Sequence, residues 1–116
     1  MNQVLKFIHE HIHSPLPMAA VAKQFGYSKW YFCTRFREYT GRTYVDYVRH
    51  YRIQLAAMEI MRDRPVTEVA LDFGYDTPGG FSKSFLNVFG CVPTEYKARA
   101  KECPLYYERR KMSKLP

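Results

Sequence analysis

The sequence predicts an all-α chain of about seven helices, arranged as two helix-turn-helix subdomains bridged by a long central helix. Three observations predict it. A seven-residue stretch recurs, each time followed by a phenylalanine pair. Apolar residues fall at i, i+3, i+4, i+7 on either side of single glycines, which is helical spacing. No stretch alternates apolar and polar residues as a half-buried strand does.

The elements follow in order. Residues 2–13 place Val4, Leu5, Ile8 and Ile12 on one side and stop at Ser14-Pro15. Met18, Val21, Ala22 and Phe25 then form one helical stripe, closed by Gly26, where a left-handed residue ends a helix. Ser28 stands as the N-cap of a new helix whose apolar face is Phe32, Phe36 and Tyr39, before Gly41. Residues 43–62 contain no glycine or proline and carry Val48, Ile53, Ala57 and Ile60, the expected linker helix. The second stripe is Val66, Val69, Ala70 and Phe73, stopped by Gly74. Thr77 caps the next helix, Pro78 fits a first turn that needs no N–H, and Phe81, Phe85 and Phe89 point inward. A short helix near 94–100 follows Pro93.

The repeat is the most informative signal. Val21-Ala22-Lys23-Gln24-Phe25-Gly26-Tyr27 returns 48 residues later as Val69-Ala70-Leu71-Asp72-Phe73-Gly74-Tyr75, with five identities in seven. Phe32, Phe36 and Gly41 then match Phe81, Phe85 and Gly90, after one inserted residue. Two copies are too few for a solenoid, so this is a duplicated module. Two helices joined by a short glycine-containing turn make a helix-turn-helix, or an αα-hairpin used only for packing. The expected division is 1–42 and 64–100 for the two subdomains, 43–63 for the linker helix, and 101–116 for a basic tail or a link to a further domain.

Composition narrows the function. At 116 residues and 13.8 kDa, with 47% hydrophobic residues, the chain can build a core without staples. It is not a disordered or low-complexity segment. No run of about 18 apolar residues exists, and the N-terminus lacks a signal peptide's apolar stretch, so a soluble, cytoplasmic chain without a membrane partner is expected. Three cysteines without a C-x-x-C exclude a zinc ribbon or a disulfide framework. The net charge of +7 favours a polyanionic partner, nucleic acid first.

At 100° per residue, the face opposite Phe32 and Phe36 holds Trp30, Thr34 and Arg37, with Cys33 on its shoulder. Opposite Phe81 and Phe85 lie Gly79, Lys83 and Leu86, with Ser82 alongside. Lys29, Arg35 and Arg42 flank the first set as phosphate partners, and Arg49 offers another on the linker helix. Trp30 either meets bases or packs on a neighbouring helix. Tyr44, Tyr47 and Tyr51 form either a stacking platform or core. Duplex DNA suits a module used twice: about 20 linker residues span roughly 30 Å, close to the roughly 34 Å repeat of the major groove.

The motifs so read resemble the DNA-binding region of AraC/XylS-type bacterial transcription regulators. The matching residues are Ser14-Pro15-Leu16, both V-A-x-x-F-G-Y stretches, Ser28-Lys29-Trp30, Phe36 with Gly41, and Arg52-Ile53 with Ala57 and Ile60. Phe81-Ser82-Lys83-Ser84-Phe85, running through Phe89-Gly90 to Pro93 and Tyr96, is the most specific element. The resemblance implies that helices at about 28–39 and 77–89 enter adjacent major grooves of an asymmetric promoter site, with RNA polymerase as a further partner and activation as the outcome. It places base reading at Trp30, Cys33 and Thr34, and at Pro78, Gly79, Gly80 and Lys83. Backbone contacts are expected from Ser28, Lys29, Arg35, Arg37, Arg42, Arg49, Thr77 and Ser82. It implies no cofactor, no metal and no enzymatic activity, and an effector ligand only where a further domain exists.

Two departures from the family pattern carry an expectation of their own. Cys33 and Thr34 stand where short members with the same Ser-Lys-Trp start carry long polar side chains, and glycines at 79 and 80 have no side chain to read a base. Discrimination is therefore expected mostly in the first module, with Lys83 and helix-terminal N–H groups of the second gripping backbone. Against the DNA reading stand a helical protein-interaction module and a zinc hydrolase. The latter rests on the H-E-x-x-H of His9, Glu10 and His13, with both histidines on one helical face.

Overall fold

The computed structural model describes residues 1–102, with side chains described to Arg99; the basic stretch predicted beyond, and Cys103, lie outside the described residues. Among the described residues there are seven helices and no strand: α1 (Asn2–Glu10), α2 (Met18–Gln24), α3 (Lys29–Thr40), α4 (Tyr44–Met61), α5 (Val66–Asp72), α6 (Pro78–Phe89) and α7 (Pro93–Glu102). The all-α prediction holds. No helix among the described residues is long and apolar enough to cross a membrane. Two compact units divide between Arg49 and His50, inside α4, so that helix contributes its first turns to one unit and the rest to the other.

In the first unit, Val4, Ile8, Val21, Ala22, Phe32, Phe36, Tyr44 and Tyr47 are buried. Phe32 and Phe36 meet the ring of Tyr44 edge-on at 5.5 and 5.4 Å, and Phe36 meets Tyr47 at 5.3 Å. Tyr44 and Tyr47 are thus core rather than a stacking platform. Each also satisfies its hydroxyl: Tyr44 donates to the Leu16 carbonyl at 2.7 Å, and Tyr47 pairs with His9 Nε2 at 2.8 Å. Burial holds the His9 imidazole below its ordinary pKa, because desolvation penalises the charged form.

The second unit repeats the plan with different supports. Phe81 and Phe85 are fully buried, and Phe85 and Phe89 pack on Tyr96 of α7 at 5.4 and 4.9 Å. Arg64, in the turn after α4, reaches Glu59, Glu68 and Asp72 at 3.7, 2.8 and 2.5 Å and so fastens the end of α4 to α5.

Two expectations need correction. The first helix stops at Glu10 rather than running to residue 13, and His11–Ser14 forms a turn closed by Ser14 N–H donating to the His11 carbonyl at 2.9 Å. Ile12 is still buried, since a turn residue can face inward without helical geometry. Tyr39 does not complete the inward face of α3. It is 54% exposed, and its hydroxyl donates to Asn2 Oδ1 at the start of α1. Seven residues of helix turn 700°, which leaves position 39 only about 20° from Phe32, so the exposure comes not from the angle but from its place in the last turn of α3, one residue before the helix ends.

Candidate nucleic-acid interface

The two reading helices are positioned by the same local devices. Gly26 and Gly74 take φ of 77° and 85°, which reverses the chain after α2 and α5. The N–H of the tyrosine behind each glycine returns to the helix: Tyr27 to Ala22 at 2.9 Å, Tyr75 to Ala70 at 3.0 Å. Ser28 Oγ then accepts from Tyr31 N–H at 3.2 Å, and Thr77 Oγ1 from Gly80 N–H at 3.1 Å, so both hydroxyls act as caps. Each cap oxygen faces its own helix, and its hydroxyl proton can still be donated to a phosphate oxygen.

With Phe32 and Phe36 inward, α3 turns its other side out. Trp30 is 76% exposed, which excludes packing on a neighbouring helix. Cys33 and Arg37 are exposed and Thr34 half-exposed. They border a concavity of about 730 Å³ that also takes in Met18 of α2 and Val45 at the start of α4. The Cys33 thiol donates to Met18 Sδ at 3.0 Å, and Thr34 Oγ1 donates to the Trp30 carbonyl at 3.0 Å. Sequence reasoning assigned Met18 to a buried stripe and passed over Val45. Met18 opens α2 and is only half-covered, and Val45 is 60% exposed. The one signal for Met18 was its place at the very end of the stripe.

On α6 the outward positions are barer. Gly79, Gly80 and Lys83 are exposed, Ser82 is half-buried and Leu86 is 47% exposed. The glycines are not equivalent. A Cβ on Gly80 would lie 3.2 Å from Thr77 Oγ1, so the cap's close approach favours glycine there; a Cβ on Gly79 would meet nothing within 4 Å. The cap is thus a compensation for Gly80 that the sequence did not reveal.

The cations divide into two groups. Lys29, Arg37, Arg49 and Lys83 are exposed and form no ion pair among the described residues. Arg35 pairs with Glu38 at 3.5 Å and Arg42 with Asp46 at 3.4 Å. Exposed pairs of this kind are worth at most about 1 kcal/mol, so a phosphate can displace either acid.

The geometry lends the zinc-hydrolase alternative no support. With α1 ending at Glu10, His9 and His13 do not share a helical face, and His9 Nε2 is engaged by Tyr47. No group of three or more His, Cys, Asp or Glu among the described residues is arranged to hold a metal ion.

Comparison with known proteins agrees with this geometry. A helix-turn-helix domain family matches residues 21–99. The regulatory protein SoxS of Escherichia coli strain K12 is 40% identical over 100 residues, covering 85% of this chain and 94% of SoxS. The chain belongs to the AraC/XylS-type helix-turn-helix family of transcription regulators. Among solved structures, the DNA-binding domain of AdpA, a global transcriptional factor, in complex with a target DNA, superposes with a TM-score of 0.78 at 26% identity, covering 90% of this chain and 96% of that one. A DNA-binding transcriptional dual regulator from Escherichia coli K-12 gives 0.75 at 26%, covering 86% and 90%. Each of the three covers at least 85% of this chain.

Proposed function

We propose that this AraC-type chain is a sequence-specific regulator that binds duplex DNA, with α3 and α6 entering adjacent major grooves of an asymmetric promoter site. The observation that carries the reading is the outward face of α3, where a 76% exposed Trp30 stands between the unpaired cations Lys29 and Arg37. Trp30 is not a lone exposed ring but borders one concavity with Met18 and the 60% exposed Val45, and base edges and phosphates suit this mixture of apolar surface and cations. That the AdpA domain was solved on a target DNA supports the same partner. The 18 residues of α4 rise about 27 Å at 1.5 Å each, near the groove repeat of about 34 Å.

In this reading Trp30, Cys33 and Thr34 meet base edges, and Lys83 with the glycine-lined start of α6 holds backbone. Ser28, Lys29, Arg35, Arg37, Arg42, Arg49, Thr77 and Ser82 set register on phosphates. The protein is non-enzymatic, works in the cytoplasm, and activates transcription through RNA polymerase. Selection of bound sequences from random duplexes tests it. We expect one asymmetric site of roughly 20 base pairs, bent if both modules engage, with binding that weakens steeply as salt rises. A base-by-base scan is then expected to cost about 1–3 kcal/mol per mismatch in the first module's half-site and much less in the other. Equal penalties in both halves contradict the division of labour.

A further inference from the structure

The outward side of α3 presents few hydrogen-bonding groups to a base edge. The Thr34 hydroxyl proton is committed to the Trp30 carbonyl 3.0 Å away, within its own helix. The Cys33 thiol, a weak donor, is turned to Met18 Sδ at 3.0 Å. The concavity of about 730 Å³ thus has two sides: Arg37, Glu38 and Thr43 make one polar, and the other is carbon and sulfur, from the Trp30 indole, the Cys33–Met18 pair, the methyl of Thr34 and, at the rim, Val45. Lys29 and Arg37 flank this surface without ion pairs among the described residues, in place for the phosphates on either side.

The apolar side of such a surface discriminates poorly among donors and acceptors. Pressed against guanine, adenine or cytosine edges, the apolar side removes water from several polar atoms and offers only Trp30 Nε1–H as a donor and Thr34 Oγ1 as an acceptor in return, which is unfavourable. One group on the floor of the major groove is apolar, the C5 methyl of thymine. We infer that the first reading helix selects its half-site through thymine C5 methyl groups, with Thr34 as the specificity-determining residue. The inference rests on the DNA-binding reading above and deepens it. Trp30 forms a wall for the methyl, the sulfur pair its polarizable floor, and Thr34 supplies a methyl of its own while its oxygen stays tied to the helix.

The test uses the full chain and its selected duplex. Deoxyuridine replaces thymidine at one position at a time, which removes the C5 methyl and leaves Watson–Crick pairing intact. We expect at least one position in one half-site at which affinity falls about three- to tenfold, as for a buried methyl. Thr34→Val, which keeps the methyl and removes the hydroxyl, should retain that preference. Thr34→Ser, which keeps the hydroxyl and removes the methyl, should bind thymine and uracil duplexes nearly equally at that position. Tight, site-selective binding that is indifferent to uracil throughout overturns the inference and leaves the DNA-binding reading standing. So does a Ser variant that still discriminates. Failure of the chain to select any duplex overturns the reading beneath it as well.

Discussion

Residues 18–41 and 66–90 are two copies of one backbone with two different outward faces. Both begin with a seven-residue helix and continue with a twelve-residue helix. Both reverse at a glycine of positive φ, cap with a hydroxyl, and end on a left-handed glycine, Gly41 or Gly90, whose N–H returns 2.8 Å to the carbonyl of Arg37 or Leu86. Outside, α3 shows Trp30, Cys33, Thr34 and Arg37, and α6 shows two glycines, Lys83 and Leu86. Building the module requires a small set of residues: two turn glycines, one capping hydroxyl and a phenylalanine pair. Apart from Gly79 and Gly80, which sit in the capped first turn of α6, the outward positions do not contribute to that construction, so they can differ between copies. In this chain they differ in chemistry: an aromatic ring and sulfur among several cations on α3, bare glycines with the single cation Lys83 on α6.

Four measurements break or sharpen that comparison. The largest effect belongs to what the copies share: Phe36→Ala and Phe85→Ala should each cost about 3–5 kcal/mol in urea denaturation. A much smaller loss at one site would mean that the two cores are not equivalent. Next comes what separates them. Lys83→Ala should weaken DNA binding several-fold on every sequence and reduce the salt slope by about one, with no change in base preference. An altered preference would move base reading into α6. Smaller effects distinguish the glycines. Gly79→Ala should stabilise the chain by up to about 1 kcal/mol, while Gly80→Ala should gain less, because its Cβ presses on Thr77 Oγ1. Equal gains in thermal melts would show that the cap yields freely.

The smallest effect is specific to the first copy. Burial lowers the His9 pKa from its ordinary 6.5, so above pH 6.5 the imidazole is neutral in folded and unfolded chains alike. As pH falls below 6.5 the unfolded chain takes up a proton first, and stability declines until the folded-state pKa is passed. Melting temperature against pH should show that decline, and His9→Gln should remove it. An unchanged profile in the variant would assign the slope to other groups.

Much of the candidate site could be read from residue order. Ser28, Thr77, Gly26 and Gly74 announce their roles because capping and chain reversal are decided within four residues. The exposure of Trp30 followed from 100° arithmetic once Phe32 and Phe36 were placed inside. The same arithmetic misplaced Tyr39, because an angle of about 20° from Phe32 says nothing of what covers the last turn of α3, where the hydroxyl reaches Asn2 of α1. The overrun of the first helix has a related cause. His11-Ile12-His13 keeps one apolar residue in register, yet nothing in that pattern distinguishes a last helical turn from an inward-facing bend.

By itself the sequence determined seven helices, their order, the duplication and the family, because periodicity, caps and turns are local and short motifs carry them. Only the tertiary structure decided which polar groups on the reading face remain available. That Cys33 turns to a methionine fifteen residues earlier, and that Tyr39 reaches back to Asn2, depend on distances between packed helices. Such distances arise from how helices settle against one another, and no pattern along the chain encodes them one residue at a time.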